Sequence, residues 1–144
     1  MNKLVLIADD NPNDLFLLRH AFERTGLASQ IVEVSDGQQA INYLSGEAPY
    51  ADRIQNPVPD LLILDLQMPK LNGWDVLQWL RGRAELSHLH VAVLSSSSLE
   101  ADQAQARALG AHDYQVKPSD FTSWMRLARD FQTKWLSGAL ALAR

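Results

Sequence analysis

Four times along this chain a short apolar run stops on a side chain that can carry charge or donate a hydrogen bond, and each time a turn or helical pattern follows. Leu4–Ala8 stops at Asp9-Asp10, Leu61–Leu64 at Asp65, Val91–Leu94 at Ser95, and Tyr114–Val116 at Lys117. A further run, Ile31–Val34, ends without an obvious charged group. Unbroken apolar runs of this length read as strands buried on both faces of a sheet rather than on one. Between them the apolar spacing turns helical: Leu15, Leu18 and Phe22, then Ala40, Ile41 and Leu44, then Trp74, Leu77 and Leu80. An Ala- and Gln-rich helix is expected over Leu99–Leu109, closed by Gly110, and a long last helix over about 119–142. Asn11-Pro12 marks the first helix start and Gly26 its stop, while Asp36-Gly37 turns the chain into the second helix. Five strands alternating with five helices predict an α/β fold built from parallel βαβ crossovers. Residues 45–59, with Gly46, Pro49, Pro57 and Pro59, read as an extended surface connection inside one domain.

At 144 residues one domain spanning 1–144 is expected, with no residues left after Arg144 for a separate output domain. The formal net charge of -4 disfavours direct binding to nucleic acid or to an anionic membrane surface. There are no cysteines, so disulfides and thiolate metal sites are excluded and a cytoplasmic setting is compatible. No apolar stretch approaches the ~20 residues that span a bilayer, and the short run before Asp9 does not make a signal peptide.

In open parallel sheets, functional groups gather beyond the carboxyl ends of the strands. Asp9, Asp10, Asp65, Ser95 and Lys117 all fall at that end, whereas unrelated turn residues would scatter between both ends. Carboxylates crowded together repel, and a hard divalent cation relieves that repulsion. Mg²⁺ suits the set, with Mn²⁺ able to substitute. Asp10 and Asp65 are expected to bind it directly and Asp9 directly or through water. A carboxylate in such a place can attack phosphorus, with Lys117 spreading charge on the transferred group and Ser95 donating a hydrogen bond to it.

The motifs Ala8–Pro12 (Ala-Asp-Asp-Asn-Pro), Asp65–Gly73 (Asp-Leu-Gln-Met-Pro-Lys-Leu-Asn-Gly), Leu94-Ser95 and Gly110–Pro118 (Gly-Ala-x-Asp-Tyr-x-x-Lys-Pro) together resemble the receiver domain of two-component response regulators. The likeness runs from Leu4 to about Leu136. It implies a flavodoxin-like sheet in the order 2-1-3-4-5, a phosphoacceptor at Asp65 and an acidic pair at Asp9 and Asp10, with the Gln67 backbone carbonyl completing the Mg²⁺ ligands. It further implies phosphate binding and switching through Ser95, Ser96, Lys117 and Tyr114, tuning of phosphoryl lifetime by Gln67 and Ser97, and a cis proline at Pro118. The pattern is most similar to single-domain regulators that partner bacterial phytochromes, which implies a phytochrome-type sensor histidine kinase as partner. Enzymatic activity is then limited to accepting the phosphoryl group and losing it slowly.

The weak apolar face of the Leu99–Leu109 helix, with Ala101, Ala104 and Ala108 as its inward candidates, suits an element that shifts at low cost. In the last helix Phe121, Trp124, Ala128, Phe131 and Trp135 make one stripe, with Met125, Leu127, Leu136 and Leu140 off it. That surplus predicts a homodimer and output face through Tyr114, Phe121, Trp124 and Met125. Two rival readings stand beside this one. A Mg²⁺-dependent aspartyl-phosphate phosphatase would want a second acid where Gln67 stands. A degenerate receiver serving as an interaction module would have no need of the full set Asp9, Asp10, Asp65, Ser95 and Lys117.

Overall fold

The computed structural model describes residues 3–25 and 29–136. Gly26, the side chain of Leu136, Leu140 and the remainder of the helix expected to reach 142 lie outside the described residues. The elements run β1 (Lys3–Ala8), α1 (Pro12–Arg24), β2 (Ser29–Val34), α2 (Gly37–Ser45), β3 (Leu61–Leu64), α3 (Gly73–Leu80), β4 (His90–Ser95), α4 (Glu100–Ala108), β5 (Asp113–Val116) and α5 (Phe121–Phe131). A short 3-10 turn, Ala84–Leu86, precedes β4, and one π-helical turn, Gln132–Leu136, follows α5. The five strands form one parallel sheet in the order β2-β1-β3-β4-β5. Strand order reverses at β1, so the crevice between the carboxyl ends of β1 and β3 is where a site belongs.

Local chemistry explains the helix starts. The Asn11 side chain accepts hydrogen bonds from the backbone N–H groups of Asn13 and Asp14, with Pro12 at the first helical position. Asp36 caps α2 and Asp120 caps α5 in the same way. Asn72 and Asp75 form a reciprocal capping box on α3.

The alternation of side chains along each strand divides the core into two layers. Val5, Ile7, Ile63, Ala92 and Leu94 face α1 and α5, meeting Leu18, Phe22, Trp124, Ala128 and Phe131. Leu6, Leu62, Leu64 and Val93 face the other way, toward Tyr43, Leu77 and Tyr114. The long connection after α2 is pinned to the body. Arg53 donates to the carbonyls of Leu44 (2.8 Å) and Asn56 (3.0 Å), and the Tyr43 hydroxyl donates to that of Pro57 (2.9 Å).

Two expectations about helix faces are corrected. In α4 the buried residue is Ala106, while Ala101, Ala104 and Ala108 are exposed. The helix is rotated because its polar side chains find partners at the serine run. Asp102 accepts from the Ser97 hydroxyl, and the Gln103 amide donates to the Ser98 carbonyl at 3.3 Å. In α5 Leu127 is buried beside the stripe rather than left off it. Trp124 is 2% exposed and Tyr114 6%, so neither offers surface for a dimer. Phe121 and Met125, assigned to the same face, are half-buried. Large aromatics on a helix that covers a sheet gain more from the core than from solvent.

Candidate functional site

Backbone pairing brings the key acids together. The Asp9 N–H donates to the Val34 carbonyl (3.1 Å) and the Asp65 N–H to the Ala8 carbonyl (2.9 Å), so the ladder continues one residue past β1 and β3. Asp9 and Asp65 are therefore fixed side by side, each about one-twentieth exposed, and Asp10 lies in the open. Asp9 accepts from the Asn11 N–H at 2.9 Å, and Asp65 from the Gln67 N–H at 3.3 Å. One oxygen from each of Asp9, Asp10 and Asp65 lies within 4.8 Å of the others, the arrangement a hard divalent cation neutralises.

Lys117 arrives from β5. Its N–H donates to the Ser95 carbonyl at 2.8 Å, which extends the β4–β5 pairing and aims the side chain along the sheet edge. Its Nζ lies 3.0 Å from Asp9, 3.3 Å from Asp65 and 2.8 Å from Asp14. Asp14 was not among the residues expected here. It stands one turn into α1, and the Asn11-Pro12 cap points that turn at the cleft, so the signal available in the sequence was an acid three residues beyond a cap.

Burial pushes the Asp65 carboxyl up from 3.8 to about 6, and the charge of Asp9 adds to the rise, while Lys117 and the Gln67 N–H oppose it. Asp9 is raised for the same first reason, against the Asn11 N–H and Lys117. Burial alone would lower Lys117, but hydrogen bonds to Asp14 and Asp9 and the charge of Asp65 outweigh it and hold the ammonium above its usual value. The cation is thus firmly charged, and the acids around it are short of countercharge.

The cleft outside these groups has a volume of about 680 Å³ and is lined by Asp10, Asp14, Asp65, Gln67, Trp74, Ser96 and Lys117, among others. Trp74 enters as a wall of the site, where sequence spacing marked it only as a helix apolar residue. Ser95 is buried beneath, its Oγ accepting from the Ser97 N–H at 3.1 Å. Ser97 does not join the carboxylates: its hydroxyl donates to Asp102, and its carbonyl accepts from the Tyr114 hydroxyl at 2.9 Å. Tyr114 is therefore tied, through Ser97, to the segment that leads into α4.

The loop behind Asp65 is tightly built. Gly73 donates its N–H to the Leu66 carbonyl at 3.0 Å, and Lys70 adopts a left-handed backbone (φ 62°). The cis expectation for Pro118 is corrected: the Lys117–Pro118 bond is trans, and the cis bond among the described residues is Ala48–Pro49. Lys117 keeps its strand pairing and reaches all three carboxylates from the trans backbone, the form that an X–Pro bond prefers by ~0.5–1 kcal/mol.

Comparison with known proteins agrees with this fold. The response regulator receiver domain family matches residues 5–129. The response regulator RPA3017, from red light signalling in R. palustris, superposes with a TM-score of 0.87 at 32% identity, over 94% of each chain. The phosphorylated cyanobacterial phytochrome response regulator RcpA gives 0.87 at 30% identity, over 95% of this chain and 96% of its own. The response regulator GtcR of Aneurinibacillus migulanus is 36% identical over 118 residues, 82% of this chain, which spans 43% of that protein's length.

Proposed function

Because the chain belongs to the response regulator receiver family and so acts in two-component signalling, we propose that it accepts a phosphoryl group from a sensor histidine kinase onto Asp65. The observation that carries this reading is the convergence of Asp9, Asp10 and Asp65 within 4.8 Å of one another, with the Lys117 ammonium paired to Asp9 and Asp65. Asp9, Asp10, Asp65 and the backbone carbonyl of Gln67 would hold Mg²⁺, or Mn²⁺ in its place. The metal supplies charge neutralisation at the transferring phosphoryl oxygens.

The chain's own residues do the rest. A carboxylate oxygen of Asp65 attacks phosphorus and the donor imidazole leaves. Lys117 pairs with a phosphoryl oxygen, and Ser95, with the Ser96 backbone beside it, supplies hydrogen bonds to the product. Ser95 and the Ser97 segment move toward the new charge, and Tyr114 follows because its hydroxyl is bonded to the Ser97 carbonyl. That motion passes to α4, whose first turn is held by Ser97 and Ser98. Gln67, standing where a phosphatase would carry an acid, leaves the product without a strong proton-transfer group, and with Ser97 it sets the phosphoryl lifetime.

The likeness to RPA3017, of red light signalling, and to the phytochrome response regulator RcpA supports a phytochrome-type kinase as donor. The half-buried Phe121 and Met125, with the exposed Val116, support a homodimer through α5, which sedimentation with and without beryllofluoride would test. The function itself is tested by incubation with acetyl phosphate and Mg²⁺ followed by intact mass measurement. Wild type gains one phosphoryl mass and Asp65→Asn does not; gain by both, or by neither, overturns the reading.

A further inference from the structure

We propose that Asp14 is a positioning residue that acts through Lys117 as a brake on the phosphoryl anion, an inference that rests on the function proposed above. The ammonium of Lys117 is surrounded by three carboxylates: it donates to Asp14 and Asp65 and is ion-paired with Asp9. Asp14 makes the shortest of the three contacts, 2.8 Å, against 3.0 Å for Asp9 and 3.3 Å for Asp65. Asp9 and Asp65 each have a second tie, to the N–H groups of Asn11 and Gln67, and both belong to the group that a divalent cation neutralises. Among the described residues the Asp14 carboxylate bonds to Lys117 alone. The pair joins the first turn of α1 to the end of β5 across the wall of the cleft, whose lining includes both residues.

The consequence is electrostatic. A phosphoryl group on Asp65 carries about two negative charges where the free carboxylate carried one. Its oxygens need the Lys117 N–H groups that Asp14 holds, and Asp14 repels them. Asp14 also takes up part of the ammonium charge that would otherwise draw the anion in. A purely structural clasp predicts the reverse, because loosening Lys117 would weaken the hold on the anion. The sign of the effect therefore separates the two roles.

The test is a titration of beryllofluoride, the phosphoryl mimic, at saturating Mg²⁺, read by tryptophan fluorescence, to which Trp74 at the cleft wall contributes, and independently by ¹⁹F NMR of bound fluoride. Removing one partly screened charge at this range predicts that Asp14→Asn binds about three- to tenfold more tightly than wild type. Asp14→Glu keeps the charge and stays within about twofold of wild type, and the Asp14→Asn gap narrows at 1 M salt, where the Debye length is only ~3 Å. Equal or weaker binding by a folded Asp14→Asn overturns the brake, as does tightening by Asp14→Glu to the same extent. Failure of wild type to bind the mimic overturns the proposed function and the brake with it, whereas binding by wild type without tightening in Asp14→Asn overturns the brake alone.

Discussion

Gly73 lies so close to the backbone of Asp65 that a Cβ on it would fall 2.3 Å from the Asp65 carbonyl oxygen and 2.7 Å from the Leu66 Cα. The glycine is what lets the first turn of α3 pack under the strand end, and so fixes the direction in which the Asp65 side chain leaves the sheet. Backbone, unlike a flexible side chain, cannot give way locally. Gly73→Ala is expected to cost ~2–4 kcal/mol of stability through overpacking, measured by denaturant unfolding. Phosphorylation by acetyl phosphate should slow at temperatures where the variant remains folded. An unchanged midpoint would show that the loop relaxes freely.

The buried charge of Asp65 works against the fold when no cation is present. Its folded pKa of about 6 lies above the unfolded 3.8, so the folded state holds the proton more strongly. Stability contributed by protonated Asp65 is full below about 3.8 and is lost as pH rises through about 6. Asp65→Asn should therefore stabilise the metal-free protein on the order of 1–2 kcal/mol at pH 8, with the gain fading toward pH 4. Melting curves across that range check it. Added Mg²⁺ should raise the wild-type midpoint and leave the Asn variant nearly unchanged.

Lys117 offsets Asp9, Asp14 and Asp65 together. Lys117→Met leaves the buried acids without their countercharge, at an expected ~2–4 kcal/mol in metal-free buffer near neutral pH. Mg²⁺ should recover part of that loss, because it neutralises Asp9 and Asp65, yet the variant should still phosphorylate slowly. Thermal melts with and without the cation, alongside acetyl phosphate kinetics, separate the two effects. Full recovery of both by Mg²⁺ would mean that Lys117 serves only to balance charge.

The Tyr114 hydroxyl is bonded to the Ser97 carbonyl at 2.9 Å in an otherwise apolar setting. Tyr114→Phe should cost ~0.5–1.5 kcal/mol by losing that bond. If Tyr114 also reports the switch, beryllofluoride should shift α4 amide resonances less in the variant than in wild type. Equal shifts would uncouple Tyr114 from the switch.

The strand ends were legible because their apolar runs are unbroken and stop on polar groups, which places Asp9, Asp10, Asp65, Ser95 and Lys117 at one sheet edge before any coordinates. Asp14 was not, because its place depends on the phase of α1 and on the reach of a lysine 103 positions away. The α4 face was misread because an Ala-rich helix carries almost no apolar signal; the hydrogen bonds of Asp102 with the Ser97 hydroxyl and of Gln103 with the Ser98 carbonyl set its rotation instead. Trp124 and Leu127 were partly misplaced because the width of the surface that α5 covers depends on α1 packing beside it, and that neighbour is not encoded within α5. Extended boundaries at β2, β4 and β5 follow from strand pairing, which recruits Ser29, His90 and Asp113 although none of them is apolar.

The central claim is that Asp65 itself carries the phosphoryl group, and borohydride reduction followed by peptide mass mapping tests it most directly. An aspartyl phosphate is reduced to homoserine, while a free carboxylate is untouched. After treatment with acetyl phosphate and Mg²⁺, homoserine is expected at position 65 alone, and omission of Mg²⁺ should abolish it. Homoserine at position 9, 10 or 14, or none anywhere despite a gain in mass, would contradict the account.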